Sequence, residues 1–347
     1  MEEKKKVSLD EQFNDYESTP VPEHARRNWV DQGIVWMGAG LSILATGGLL
    51  ADGLSFWDTV LASVLGAIVI FIIAGFVGLV SVRLHLSASY TARFSFGRDG
   101  SRIFGAILCF SNFGWFAFQA DLFGNTVTSI LREGWNLETP TVVFTILGGL
   151  AMATTAIFGF KAIEKFSKFS FPILLLLCVV AIWRTFSQVP AADIIGSGPV
   201  GAPITLPMGV AIVVSSYASG IAVIGDVSRF SRSKKDCLLG LSLGYVWGFI
   251  PILLCGSFFT YAFHNWNIVE VMIESLDMGI LGAVGLIICQ WTTNDNNLYT
   301  SVLGVTNTLD GIVKFPRIRL SLIIGVISTA VAAIGRYKYF EIFLSLL

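Results

Sequence analysis

Nine apolar runs recur along this chain, and each is about as long as a helix that crosses a lipid bilayer. Such a helix needs about 20 mostly apolar residues, because each residue adds 1.5 Å of length. The runs do not show the alternation of apolar and polar residues that is typical of membrane β-barrel strands. We therefore predict an all-α integral membrane protein. The predicted spans are residues 29–51, 57–80, 103–130, 139–158, 169–187, 206–225, 238–262, 279–305 and 320–335.

The charge content excludes most other classes of protein. Only 14% of the residues are charged, whereas a soluble domain carries roughly 25%. A water-soluble enzyme, a disordered protein and a nucleic-acid-binding protein are therefore excluded. The sequence contains no phosphate-binding GxxxxGKS/T loop and no HExxH motif, and its three histidines and five cysteines lack the spacing of a metal site. We expect neither an enzyme nor a bound cofactor.

The basic residues are distributed unequally between the two sides of the membrane. If the N-terminus is cytoplasmic, 19 of the 23 Lys and Arg residues lie on the cytoplasmic side and 4 on the other. Cytoplasmic loops carry an excess of Lys and Arg, so this orientation is predicted. Residues 1–28 are polar and are interpreted as a cytoplasmic tail, not a cleaved signal peptide, and residues 29–347 as the transmembrane domain. We expect a multi-pass protein of the plasma (inner) membrane.

Four spans contain polar or small residues, and we expect their helices to be interrupted there. The first span contains Gly38–Ser42 and Thr46–Gly48, and the sixth contains Ser215–Gly220. Polar groups at this depth must be satisfied within the protein, and glycines can free backbone carbonyls. Close packing of small residues is the alternative in the first span. Hydroxyls bonded back to their own helix are the alternative in the sixth.

The third span presents one polar face. At about 100° per residue, Asn112 lies roughly 60° and Gln119 roughly 40° from Trp115 around the helix. An indole between two amides can stack on a planar ring and form hydrogen bonds with its edges. Packing in the core is the alternative for Trp115. Asp121 lies on another face of the same helix.

The eighth span contains the polar run Trp291–Asn297. Hydroxyl oxygens such as those of Thr292 and Thr293 are hard ligands that suit Na⁺. The amides of Asn294 and Asn296 can recognise hydrogen-bond donors and acceptors of a ligand. A polar turn at the end of a helix is the alternative, but the apolar residues that follow continue the span and favour a site inside the membrane.

The polar segments are related by their spacing. Gly38 and Ser216 are 178 residues apart, and Trp115 and Thr292 are 177 apart. This common offset predicts two structural repeats of five spans each. Because five is odd, the second repeat enters the membrane from the opposite side, which is the inverted-repeat architecture of many secondary transporters. The repeats would cover about residues 29–187 and 206–347.

Four segments of the sequence are similar to those of a known family. They are ARFSFG at Ala92–Gly97, GWF at Gly114–Phe116, the pattern of Ser216, Asp226, Arg229 and Phe230, and WTTNDN at Trp291–Asn296. Over about residues 20–347 the chain resembles the nucleobase–cation symporter-1 family, most closely its bacterial cytosine-permease branch. The resemblance implies a LeuT-like five-plus-five inverted-repeat core, usually followed by two further spans. Residues Tyr339–Leu347 resemble only the start of a tenth span, so we expect the second repeat to be incomplete.

The resemblance implies a substrate site between the first, third, sixth and eighth spans, and a Na⁺ site between the first and the eighth. The candidate substrate-binding residues are Asn112, Trp115, Gln119, Ser216, Tyr217, Ser219, Asn294 and Asn296. The candidate sodium ligands are the hydroxyls of Thr292 and Thr293 and the backbone carbonyls of Gly38, Leu41 and Cys289.

The sequence thus predicts Na⁺-coupled uptake of cytosine or a related nucleobase by alternating access. One alternative is a carrier of a purine, a hydantoin or a hydroxymethylpyrimidine, because Gln119 resembles the hydantoin-transporting branch; H⁺ coupling through Asp121 is open as well. Another is a membrane sensor that binds its ligand without transporting it. The expected partners are the base, Na⁺ and the lipid bilayer, and no nucleic acid is expected.

Overall fold

The computed structural model describes residues 15–335, apart from residues 17, 38–39, 267–269 and 314. The regular elements in this part of the chain are helical. The main helices are α1 Trp29–Met37, α2 Gly40–Gly53, α3 Phe56–Leu84, α4 Arg93–Trp135, α5 Thr141–Ala156, α6 Phe160–Gln188, α7 Leu206–Ser215, α8 Ala218–Ala222, α9 Ile224–Ser228, α10 Lys234–Ser242, α11 Phe249–Phe263, α12 Gly279–Leu309 and α13 Arg317–Ala333. Short helical turns lie at Glu23–Ala25, Ala88–Thr91 and Ala191–Ile195, and π-helical segments at Leu243–Gly248 and Val271–Ser275.

Each of the nine predicted spans coincides with a helix or a group of helices. Among the described residues, four helical stretches are long and apolar enough to cross a membrane by themselves, and they are Phe56–Leu84, Arg93–Arg132, Phe160–Gln188 and Lys234–Phe263. Large apolar side chains project outwards from them, and Phe76 is 70% and Leu176 64% exposed. Such surfaces suit contact with lipid chains. The start of a tenth span, Tyr339–Leu347, lies outside the described residues.

The interruption expected in the sixth span is present, and the one expected in the first span falls on residues 38–39, outside the described residues. In the sixth span, α7 ends at Ser215 and α8 begins at Ala218. In the first, α1 ends at Met37 and α2 begins at Gly40, and the two residues between them lie outside the described part.

In the third and eighth spans the expected interruption is wrong, because α4 and α12 run through their polar segments as continuous helices. Their amide side chains bond to carbonyls of the preceding helical turn. Asn112 Nδ2 donates to the Leu108 carbonyl at 2.9 Å, and Asn296 Nδ2 donates to the Thr292 carbonyl at 3.2 Å. A helix can thus carry these polar side chains without losing its backbone hydrogen bonds.

The helices form two groups. In the first bundle, α2 packs along α11, α1 along α10 and α3 along α7. In the second bundle, α4 packs along α12 and α5, and α13 lies against α5 and α4. Helix α6 joins the two bundles, because it contacts α12, α1 and α11. The groove between the bundles is therefore bordered by α1, α4, α7, α8 and α12.

Glycines allow the close approach of α2 and α11 in the first bundle. A Cβ atom at Gly47 would overlap the carbonyl of Leu253, and a Cβ atom at Gly256 would overlap the carbonyl of Leu44. The two contacts are reciprocal, as is expected where two helices cross backbone to backbone. The small-residue run of the first span therefore serves close helix packing, which was the alternative raised for it.

The last residue of the ARFSFG segment, Gly97, has a conformational role. Gly97 has φ +68°, a left-handed conformation that residues with a Cβ atom rarely adopt. It follows the helical turn at Arg93–Phe96 and redirects the chain into the long straight part of α4. Gly97 therefore marks a kink near the start of α4.

Candidate substrate and sodium site

A cavity of about 90 Å³ lies in the groove between the two bundles. Pockets for drug-sized ligands are roughly 300–1,000 Å³, so this volume favours a compact ligand. The residues that line it are Val35, Trp36, Asn112, Trp115, Gln119, Ser216, Tyr217, Gly220, Val223, Thr293, Asn296, Asn297 and Thr300. Residues from the first, third, sixth and eighth spans thus meet at one place.

Helix α4 contributes the polar face expected from its spacing. Asn112, Trp115 and Gln119 all line the cavity. Gln119 is only 3% exposed, and its Oε1 atom has no hydrogen-bond partner among the described residues. Buried polar atoms are normally paired, so this acceptor is available to a donor on a ligand. The Trp115 ring is held edge-on by Phe118, with the ring centroids 5.9 Å apart.

The break between α7 and α8 contributes Ser216 and Tyr217. The Ser216 hydroxyl donates back to the Val213 carbonyl at 2.8 Å, which leaves its oxygen lone pairs for other contacts. The Tyr217 ring packs edge-on against Phe249 and Tyr245, at centroid distances of 5.0 and 5.2 Å. This aromatic cluster fixes the ring at the cavity wall. Ser219 lies in α8, and its side chain is outside the described part of the structure.

Helix α12 lines the cavity with a face that the sequence analysis recognised only in part. Asn296, a predicted substrate-binding residue, and Thr293, a predicted sodium ligand, lie there, and Asn297 and Thr300 join them. Steps of three or four residues lie on one helical face, so this spacing was a signal for the two missed residues.

Asn294 is placed elsewhere by the structure. Its Nδ2 atom donates to the Phe116 carbonyl at 3.2 Å, and the side chain is fully buried against α4. One residue after Thr293 is a rotation of about 100°, which turns Asn294 away from the cavity and towards the second bundle. Asn294 therefore holds α12 against α4 and is absent from the cavity lining.

Trp36 is a lining residue that the sequence analysis missed. It lies near the end of α1, is 5% exposed, and its ring centroid is 5.5 Å from that of Tyr245. Its Nε1 atom has no hydrogen-bond partner in the described part of the chain. Nothing in the local sequence distinguishes this tryptophan from one at the membrane interface, so only the packing of α1 reveals it.

The two candidate sodium-binding hydroxyls lie side by side on α12. Thr293 faces the cavity, whereas Thr292 is fully buried and faces α6. The Thr292 Oγ1 atom lies 2.9 Å from Ser170 Oγ and 3.0 Å from the Ile288 carbonyl oxygen. Hydroxyl oxygens are suitable ligands for a small hard cation.

The backbone candidates for the sodium site are only partly described. Leu41 lies in the first turn of α2, and Cys289 lies in α12 one turn before the two threonines. Gly38 lies outside the described residues.

Asp121 does not line the cavity. Its Oδ2 atom accepts a hydrogen bond from Asn125 Nδ2 at 2.8 Å, one turn further along α4. The carboxylate is thus paired with a polar neighbour on its own helix. This geometry gives no support to a role of Asp121 in proton coupling at the cavity.

A family model described as "Permease for cytosine/purines, uracil, thiamine, allantoin" matches residues 20–347. The chain belongs to this family. It is 30% identical to the cytosine permease of Escherichia coli (strain K12) over 332 residues, which are 95% of this chain and 76% of that protein. It is 23% identical to the hydantoin permease of Microbacterium maritypicum over 325 residues, 86% of this chain and 64% of that protein. The resemblance drawn from the four segments is confirmed.

This permease has the same fold as several transporters of known structure. A nucleobase-cation-symport-1 family transporter, Mhp1, in a closed conformation with bromovinylhydantoin bound, has a TM-score of 0.79 at 17% identity, covering 91% of this chain and 74% of that one. A Na⁺-coupled sialic acid symporter has a TM-score of 0.69 at 11% identity, covering 99% and 79%. The LeuT-like transporter fold and the multi-pass membrane character are confirmed, and the chain is a permease and not an enzyme.

A buried arginine connects the N-terminal segment of the permease to its helices. Arg229 follows α9 and is fully buried. Its guanidinium donates to the carbonyls of Tyr16 and Asp15 at 2.6 and 3.0 Å, and to the hydroxyl of Tyr299 on α12 at 2.6 Å. The Asp15 carboxylate accepts from the backbone N–H of Phe160 at the start of α6. These bonds join the two bundles and α6 on one side of the cavity.

Proposed function

We propose that this permease takes up cytosine, or a closely related planar nucleobase, together with Na⁺ by alternating access. One observation carries the choice of ligand: no described residue that lines the cavity bears a charge, while aromatic rings and amides from four spans face it. Uncharged aromatic and amide groups suit a neutral planar heterocycle with hydrogen-bonding edges.

The proposed binding mode follows from polar groups at the cavity wall, one of which has no hydrogen-bond partner in the described structure. The base stacks on Trp115, and an exocyclic amino group of the base donates to Gln119 Oε1, which lacks a partner in the described structure. The amides of Asn112 and Asn296 face the remaining edge. An amino group beside ring and carbonyl acceptors is the pattern of cytosine.

The proposed coupling ion binds at Thr292 and Thr293, with backbone carbonyls at Gly38, Leu41 and Cys289. Thr293 belongs to the wall of the substrate cavity and Thr292 is its neighbour, so ion and base share helix α12. Two ligands that favour the same conformation increase each other's affinity by equal factors. Na⁺ bound between the first and eighth spans would therefore favour the conformation that accepts the base from outside.

Uptake of labelled cytosine into membrane vesicles that contain the full chain tests this proposal. We expect accumulation with an inward Na⁺ gradient, and at least a ten-fold lower rate when choline replaces Na⁺. The double variant Thr292→Ala/Thr293→Ala should lose the Na⁺ dependence. Cytosine uptake that is the same with and without Na⁺, and the same in this variant, would refute the proposal. Binding of cytosine without its accumulation would indicate a sensor.

A hydantoin carrier is the second candidate, and Gln119 together with the hydantoin permease relative favours it. Competition by cytosine, adenine, uracil, a hydroxymethylpyrimidine and a 5-substituted hydantoin at equal concentrations separates the two. We expect cytosine to compete best. For H⁺ coupling, Asp121→Asn is decisive, because a proton carrier would lose gradient dependence and a Na⁺-coupled carrier would keep it.

We also propose that the N-terminus faces the cytoplasm and that the permease resides in the plasma membrane. The excess of basic residues on one side supports this orientation. Protease protection of an N-terminal tag in right-side-out vesicles, with exposure in inverted vesicles, is the expected result.

A further inference from the structure

The hydroxyl of Thr292 meets a serine of α6, a helix that neither the sequence pattern nor the proposed ion site includes. Ser170 is 2% exposed and Thr292 is fully buried, and their hydroxyl oxygens are 2.9 Å apart. The contact is one of the places where α6 packs against α12. It ties one of the two proposed sodium ligands to α6.

Helix α6 is rich in oxygen atoms at this contact. Pro172 has no N–H group, so the carbonyl of Lys168 lacks its usual helical donor. The Ser170 hydroxyl lies 3.4 Å from the Ser167 carbonyl, a long hydrogen bond. The Ser170 proton is therefore only weakly held by its own helix, and Ser170 can act as donor or acceptor towards Thr292.

Two proton arrangements are compatible with the three distances. In the first, Thr292 donates to Ser170, Ser170 donates to the Ser167 carbonyl, and both lone pairs of Thr292 are free. In the second, Ser170 donates to Thr292, and Thr292 donates to the Ile288 carbonyl, 3.0 Å away. One lone pair of Thr292 is then occupied. A cation binds lone pairs, so it favours the first arrangement.

We infer that Ser170 is a positioning residue of the coupling-ion site. By accepting a hydrogen bond from the Thr292 hydroxyl, Ser170 turns the Thr292 lone pairs towards Na⁺. Helix α6 is then a third helix that responds to the ion. This inference rests on the proposed sodium coupling.

The ion is thereby linked to a charged cluster at the beginning of α6. Lys168 Nζ lies 2.5 Å from Asp31 on α1 and 2.7 Å from Glu164 on α6, and Glu164 pairs with Arg27. Lys168 is two residues before Ser170. The proposed ion site and the ion pairs between α6 and α1 are therefore carried by neighbouring turns of one helix.

The experiment is the Na⁺ dependence of cytosine uptake by Ser170→Ala in proteoliposomes. One hydrogen bond accounts for a change of about five-fold in affinity, so we expect the half-saturating Na⁺ concentration to rise about five-fold. Uptake at saturating Na⁺ should stay within two-fold of the wild type. Ser170→Thr retains the hydroxyl and should restore wild-type Na⁺ dependence. Ser167→Ala is the matched control, because it removes a buried hydroxyl of the same helix that has no partner among the described residues.

The Na⁺-dependent rise in melting temperature of the purified permease gives a second readout that does not require transport. Ser170→Ala should need about five-fold more Na⁺ for the same rise. A wild-type permease without any Na⁺ dependence would refute the proposed coupling itself. A Na⁺-dependent wild type with an unchanged Ser170→Ala, or a loss of maximal uptake at unchanged half-saturating Na⁺, would refute the role of Ser170 alone.

Discussion

At the scale of single residues, the cavity is defined by polar atoms that lack partners in the protein. Gln119 Oε1 and Trp36 Nε1 are both buried without a hydrogen-bond partner in the described part of the chain. Leaving a buried polar atom unpaired costs about 1–3 kcal/mol. A ligand that pairs with these atoms removes that cost, which is a physical reason for tight binding of a small molecule in a small cavity.

Gln119→Leu should change affinity and stability in opposite directions. The amino group of the base loses its acceptor, so we expect the affinity for cytosine to fall about ten-fold or more. The empty permease loses an unpaired buried acceptor, so its melting temperature should stay equal or rise. Competition uptake and thermal melting measure the two quantities.

Asn125→Ala is the control for that substitution, because Asn125 lies on the same helix but outside the cavity and bonds to Asp121. We expect its cytosine affinity to equal that of the wild type. An unchanged affinity in Gln119→Leu would contradict the binding mode proposed for the base.

At the scale of helices, small residues decide how closely the elements approach each other. Where α2 contacts α11, Gly47 of α2 and Gly256 of α11 each lie against backbone atoms of the other helix. The packing alternative raised for the first span therefore applies in the described part of that span.

Gly256→Ala is expected to destabilise the permease. Its new Cβ atom would overlap the carbonyl of Leu44, and overpacking of this kind costs about 1–3 kcal/mol. Gly75→Ala in α3 is the matched control, since its Cβ atom would lie 3.4 Å from a Leu238 methyl carbon, an ordinary contact. Alanine is favoured over glycine in a helix by roughly 0.5–1 kcal/mol, so the control should melt at an equal or higher temperature. Equal effects of the two substitutions would contradict this account of the α2–α11 contact.

At the scale of the whole molecule, the two bundles are joined on one side of the cavity by Arg229. Its guanidinium reaches the N-terminal segment and α12, and the Asp15 carboxylate continues the connection to α6. In the alternating access proposed above, the bundles separate on each side in turn. The Arg229 contacts therefore have to break whenever this side opens.

Arg229→Met should lower the melting temperature strongly, because two buried carbonyls and the Tyr299 hydroxyl lose a donor, at about 1–3 kcal/mol each. Arg229→Lys keeps the charge but has fewer directed donors, so an intermediate loss is expected. Arg232→Met is the control, since Arg232 is exposed. Thermal melting in detergent checks the order, and an Arg229→Met protein as stable as Arg232→Met would contradict it.

Much of this protein could be read from its sequence, because the bilayer imposes strong local rules. Apolar length predicted where helices cross, and helical periodicity placed Asn112, Trp115 and Gln119 on one face of α4. The small and hydroxyl residues of the sixth span predicted its break. These features depend on the chain's own backbone and on its immediate solvent, and both are encoded locally.

Only the tertiary structure decided which helix each face meets. Thr292, Thr293 and Asn294 are consecutive, yet they face α6, the cavity and α4 respectively. Trp36 joined the site because α1 packs beside α10, and Ser170 joined it because α6 lies against α12. Neighbouring side chains on a helix point about 100° apart, so their partners are determined by long-range packing, which no local pattern in the sequence contains.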